Sequence, residues 1–106
     1  MNKSNIIEVV LFKTKEGVNI EEFNAEMKQW NDLLTGHEGF ISRKVAVSTD
    51  KQYVGITNWK DMDAQKSFSE KIDGSLELTK LFESNMTKID EKTLSDTFYE
   101  VICETD

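Results

Sequence analysis

Two carboxylates stand inside runs that are otherwise apolar. Glu8 lies in IIEVVLF beside Ile7 and Val9, and Glu100 lies in FYEVI beside Tyr99 and Val101. A carboxyl group buried in such company has a raised pKa and can serve as a general base. The plainer reading is that each points outward at a strand end, or pairs across a sheet with Arg43 or Lys44. His37 is the single histidine, the one side chain that titrates near neutrality without perturbation. Its surroundings, TGHE, are a polar loop in which a solvated ring is the default. Arg43, Thr57 and Asn58 can offer hydrogen bonds to a ligand. Phe23, Phe40, Trp59, Phe68 and Phe82 can line an apolar pocket, although core packing is the ordinary use of every one.

Other chemistries lack their residues. One His and one Cys make no zinc-type ligand set, and no acidic spacing resembles a calcium loop, so no metal is expected. No Ser, Thr or Cys has an evident base beside it, and the five glycines are scattered singly rather than gathered into a phosphate loop. The chain carries 13 basic and 20 acidic side chains, a net charge of −7. Such a surface repels phosphate backbones and anionic lipid heads, which argues against nucleic acid and membrane as partners. The N-terminal MNKSNIIEVVLF does not read as a signal peptide, and the single cysteine, Cys103, fits a reducing cytoplasm.

The elements that must position these groups follow from periodicity and punctuation. With 106 residues, 38% hydrophobic and 31% charged, the chain reads as one globular domain over 1–106. Residues 5–14 are β-branched and aromatic and predict a strand that is apolar on both faces, with Ile7, Val9 and Leu11 on one and Ile6, Val10 and Phe12 on the other. Asn19 and Glu22 have capping-box spacing ahead of a helix with Ile20, Phe23, Met27, Trp30 and Leu34 along one side, stopped by Gly36. Residues 39–59 then predict a hairpin. In its first strand Ile41, Arg43, Val45 and Val47 share one parity, while Phe40, Ser42, Lys44 and Ala46 share the other. In its return strand, 53–59, Gly55 marks a bulge or a close backbone approach. Asp61 or Asp63 starts a second helix to about residue 72, and Ser75 caps a third helical piece. Residues 87–92 read as a polar connector and 94–103 as the last strand. The order β-α-β-β-α-(α)-β is that of a ferredoxin-like α+β sandwich with an antiparallel four-stranded sheet.

The capped first unit IEVVLFKTKEGVNIEEF, the stretch GFISRKVA, a return strand ending in Trp59 and the late segment SNMTKIDEKTLSDTFYEVI together resemble the antibiotic biosynthesis monooxygenase-type family of the dimeric α+β barrel superfamily. The resemblance covers essentially the whole chain. It implies a homodimer packed through the sheet face and a small-molecule pocket between sheet and helices. It also implies, among other activities, cofactor-free oxygenation of aromatic or quinol-like compounds. Haem-degrading relatives use an asparagine in strand one, a tryptophan ending strand three and a histidine on the next helix. Trp59 matches the tryptophan, but the strand-one position falls near Val9 and the helix after Trp59 has no histidine. The expectation is therefore a cytoplasmic homodimer that needs no cofactor. Its base is to be sought among Glu8, His37 and Glu100, and its pocket among Phe23, Phe40, Arg43, Asn58, Trp59, Phe68 and Phe82. A non-catalytic binding protein and a proton-shuttling isomerase or cyclase are the alternatives. An RNA-recognition module shares the strand order, but neither YVGITNW nor the acidic charge provides its stacking, basic face.

Overall fold

The computed structural model describes residues 5–105. Seven elements follow one another: β1 (Ile6–Thr14), α1 (Ile20–Leu34), β2 (Phe40–Val47), β3 (Tyr53–Trp59), α2 (Met62–Gly74), α3 (Leu76–Lys88) and β4 (Ile89–Glu100). The strands form one open sheet in the order β2-β3-β1-β4, every neighbouring pair antiparallel. This is the ferredoxin-like α+β arrangement, with β3 and β1 at the centre. Along β3 the burial alternates strictly: Tyr53, Gly55, Thr57 and Trp59 are buried beneath the helices, while Val54, Ile56 and Asn58 are half-buried on the opposite face.

Helix ends are set by local chemistry. The Asn19 side chain accepts a hydrogen bond from the Glu22 amide at 3.0 Å, Asp61 from the Ala64 amide at 2.9 Å, and Ser75 from the Leu78 amide at 3.3 Å. Glu22 does not spend its carboxylate on a reciprocal cap; it pairs with Lys88 at 3.1 Å. Asp61, rather than Asp63, is the α2 cap.

Three features differ from the periodic reading. Phe40 pairs with Trp59 while Ser42 pairs with Asn58, so Ile41 is an extra residue in β2. That bulge turns Phe40 onto the same face as Arg43, not the opposite one. Gly39 makes it possible: its φ is +85°, and a Cβ there would stand 2.4 Å from the Cβ of Ala64 at the start of α2. At Gly55, by contrast, the ladders on both sides run without interruption, and a Cβ would meet nothing nearer than 4.0 Å. It marks a hollow rather than a bulge. Finally, residues 87–92 are not a connector. Helix α3 runs to Lys88 and the chain enters β4 directly at buried Ile89. The next residues are polar because this is an edge strand, and the ladder to β1 shifts register between Leu11 and Lys13.

The core gathers into two aromatic groups. Phe12 stacks on Tyr53 at 5.2 Å, and Phe23 meets both rings edge-on. At the other end of the sheet Trp59 contacts Phe40, Phe68 and His37, and Trp30 contacts Phe68. A polar clamp joins α1 to α3 between them. The Trp30 indole N–H donates to the side-chain oxygen of Asn85, and the Asn85 amide donates to Glu26 at 2.7 Å. Glu26 also accepts from Ser84 at 2.5 Å and Lys88 at 2.9 Å. Burial alone would raise the Glu26 pKa; these three donors overcome it and hold the carboxyl below its ordinary range. Replacing Asn85 with Leu, similar in volume, leaves the buried indole N–H without its acceptor. The expected loss is roughly 1–3 kcal/mol, read as a lower urea midpoint with an unchanged m-value. An unchanged midpoint would show that the clamp contributes nothing.

Candidate active-site cavity

Between the two aromatic groups lies a cavity of about 370 Å³, within the usual size range of small-molecule sites. Gly55 and Val10 form part of its floor, Trp30, Phe68 and Ile72 line it from α1 and α2, and Phe82, Met86 and Leu94 from α3 and β4. Its polar groups come mainly from the sheet. Arg43 on β2 is the cross-strand partner of Thr57 on β3, and Thr57 is the partner of Glu8 on β1. The three make one rung across the floor, and Asp96 on β4 stands one rung along, paired with Val10.

Glu8 shares a face with Val10 and Phe12, because side chains two apart on a strand point the same way. One of its oxygens accepts from the Trp59 indole N–H at 3.2 Å. Asp96 is its neighbouring carboxyl, to which a protonated Glu8 can donate. Burial raises the Glu8 pKa most, and the hydrogen bond and negative charge of Asp96 raise it further. The Trp59 hydrogen bond and the charge of Arg43 oppose the rise, and the result is about 7.

Arg43 is anchored to α1. Its Nη1 donates to the Met27 carbonyl at 3.1 Å and to the Asn31 side-chain oxygen at 2.7 Å, and Nη2 lies 3.8 Å from the Met27 sulfur. Burial lowers its pKa to about 10, opposed by the charge of Glu8. The guanidinium therefore stays charged at neutral pH.

Glu8, Arg43, Thr57, Trp59, Phe68 and half-exposed Phe82 line this cavity together. The other residues singled out by the sequence lie outside it. Phe23 is fully buried between Phe12 and Tyr53, and Phe40 props Trp59 from the side at 5.9 Å. Asn58 faces the opposite side of the sheet, where its amide donates to Ser42 at 2.8 Å. His37 packs edge-on against Phe68 at 5.2 Å behind the wall, with Nε2 3.3 Å from the Ala64 carbonyl. Glu100 is exposed at the far end of β4, opposite Ile6. Asp96, Trp30 and Asn85 were not legible as site residues. Asp96 sits in the polar run LSDT, and only the β1–β4 register brings it to Glu8. Among the described residues no cluster of His, Cys, Asp and Glu could hold a metal ion, and no helix is long and apolar enough to cross a membrane.

No protein-family model and no curated protein sequence matches the chain. Solved structures do. SnoaB, a cofactor-independent oxygenase from Streptomyces nogalater, superposes with a TM-score of 0.77 over 96% of this chain and 97% of its own, at 14% identity. An inferred antibiotic biosynthesis monooxygenase from Nitrosomonas europaea gives 0.76 over 92% and 99%, at 12% identity. A conserved protein from Methanosarcina mazei Go1 gives 0.73 over 92% and 93%, at 19% identity. The chain has the fold of the antibiotic biosynthesis monooxygenases. The resemblance read from GFISRKVA, Trp59 and the flanking elements agrees with that fold.

The raised Glu8 pKa has a consequence for stability. An acid titrating near 7 when folded and near 4.5 when unfolded holds its proton more tightly in the native state. Glu8 therefore costs nothing below about pH 4.5 and destabilises progressively as the pH rises through 7. Glu8→Gln removes the titration. The variant should gain several degrees in thermal midpoint relative to the parent at pH 8 and lose that advantage at pH 4. A constant difference across this range would refute a buried, proton-holding Glu8.

Proposed function

We propose that this chain, as one domain over 1–106, is a cofactor-independent monooxygenase acting on a small aromatic or quinol-like compound bound over Gly55. Glu8 carries the proposal: a carboxyl on the cavity floor, able to take and return a proton near neutral pH. The likeness in fold to SnoaB supports the same reading.

The oxidant is dioxygen and the electrons are the substrate's own. For a ring-activated methylene, Glu8 removes one C–H proton. The resulting carbanion passes an electron to dioxygen, and the radical pair joins in a new C–O bond. Glu8 returns its proton to the peroxide anion. It then takes the second C–H proton as the O–O bond breaks, and protonates the departing hydroxide. One oxygen atom ends in the new carbonyl and the other in water. The apolar walls hold a flat ring and limit access of bulk water, while Arg43 offsets negative charge as it develops.

The proposal includes a homodimer through the open face of the sheet. Ile7, Val9 and Leu11 on β1, Val54 and Ile56 on β3 and Tyr99 on β4 lie on that face, with Leu11 38% and Tyr99 50% exposed. A contiguous apolar surface of this kind ordinarily meets a partner. Sedimentation at micromolar concentration should show two chains; a monomer would remove this part. A cytoplasmic location, suggested by the lone Cys103, belongs to the same proposal.

Oxygen uptake with a panel of anthrones and quinols tests the chemistry. Glu8→Gln should lower the rate by roughly 10² to 10⁴-fold. In the parent the rate should rise with pH through about 7, because Glu8 must be ionised to act. Asp96→Asn removes the neighbouring negative charge and should move that midpoint downward. Equal rates in parent and Glu8→Gln would exclude Glu8 as the base. Saturable binding without uptake by the parent would favour a non-catalytic binding protein.

A further inference from the structure

Thr57 is the most deeply buried polar side chain of the cavity floor, 7% exposed. It lines the cavity midway between Arg43 and Glu8, its direct cross-strand partners. Side chains so paired stand about 5 Å apart, close enough for one ligand atom to touch two of them. Among the described residues the Thr57 hydroxyl has no side-chain hydrogen bond. Yet among those residues no buried polar side-chain atom is left wholly unpartnered, so this oxygen retains some access to the cavity. Such a hydroxyl on a cavity floor is a ligand contact waiting to be made. Arg43 is in the same position: Nη1 is committed to α1, whereas Nη2 has only the weak sulfur contact to Met27.

We propose that Thr57 and Arg43 form an oxygen-binding subsite for a weakly acidic hydroxyl, phenolic or enolic, on the ring compound that occupies the cavity. This deepens the monooxygenase reading and takes from it only the location of the ligand. The charge balance selects the class. Arg43 contributes a positive charge on one side of Thr57, and Glu8 and Asp96 place carboxyl groups on the other. The floor then presents groups of both signs. A permanent cation is repelled by Arg43, and a permanent anion faces the carboxyl pair. A neutral hydroxyl is accepted by Thr57, and as it ionises Arg43 compensates the new charge while Glu8, on the other side of Thr57, is placed to receive the proton. The ring then lies over the hollow at Gly55, where even a methyl group would find no neighbour closer than 4.0 Å.

The test is anaerobic binding, which reads the subsite without any oxidation. The probes are 2-naphthol and its methyl ether, 2-methoxynaphthalene, equal in ring system and differing in the acidic hydrogen. The parent should bind 2-naphthol about tenfold more tightly than the ether, about 1.4 kcal/mol. Thr57→Val, equal in shape and β-branched, should reduce that preference to less than about twofold, and Thr57→Ser should restore most of it. A parent that binds both equally, or neither, overturns the subsite, as does a Thr57→Val variant that keeps the full preference. Oxygen uptake is scored separately. An intact naphthol preference without uptake overturns the oxygenase reading and leaves the subsite standing.

Discussion

A carboxyl group cannot be taken from water without substitutes for the water, and at Glu8 those substitutes organise the site. The Trp59 indole N–H supplies a hydrogen bond, while Arg43 contributes charge from two strands away. Each substitute is itself held. Trp59 is wedged by Phe40, Phe68 and His37, so its N–H stays directed at β1. Arg43 is tied to the Met27 carbonyl and the Asn31 side chain, which fixes a long and otherwise mobile group against α1. His37, which attracted notice as a titratable group, matters here as a packed ring.

The cavity exists because two kinds of packing fail to meet over Gly55. The Phe12–Phe23–Tyr53 group fills one end of the sheet and the Trp59–Phe68–Trp30 group fills the other. Nothing from β3 fills the interval, since Gly55 has no side chain. Closing that gap would require α1 and α3 to approach the floor. The Trp30–Asn85–Glu26 chain of hydrogen bonds, extended by Ser84 and Lys88, joins those helices at a defined spacing instead. An open cavity and a half-buried carboxyl that must ionise are both unfavourable to stability, and such departures concentrate where a protein meets a ligand.

Much of the fold was legible because its signals are local. Asn19, Asp61 and Ser75 sit ahead of their helices and cap them by bonds spanning three residues. The apolar stripe of α1 is Phe23, Met27, Trp30 and Leu34, all buried, as a 3.6-residue period requires. The misreadings are non-local. The bulge at Ile41 depends on Gly39 lying against Ala64, residues that meet only after α2 docks. The strand entry at Ile89 and Asp90 depends on β1 being beside them, since the polar run itself has no strand period.

The two carboxylates that first suggested chemistry show where the division falls. Glu8 and Glu100 carry the same local signal, an acid in an apolar run. That pattern determined the strands, the sandwich order and a short set of candidate groups, because side-chain period and capping are properties of neighbouring residues. Which acid is buried was decided by the sheet. β1 is a central strand beneath the helices, so Glu8 is half-buried; Glu100 ends an edge strand and remains in water. The β1–β4 register then brings Asp96 to Glu8, and the β2–β3–β1 registers align Arg43, Thr57 and Glu8 in one rung. Registers depend on hydrogen bonds between segments far apart in the chain, and a slip of one residue would reverse every face. For that reason only the tertiary structure could assemble the site.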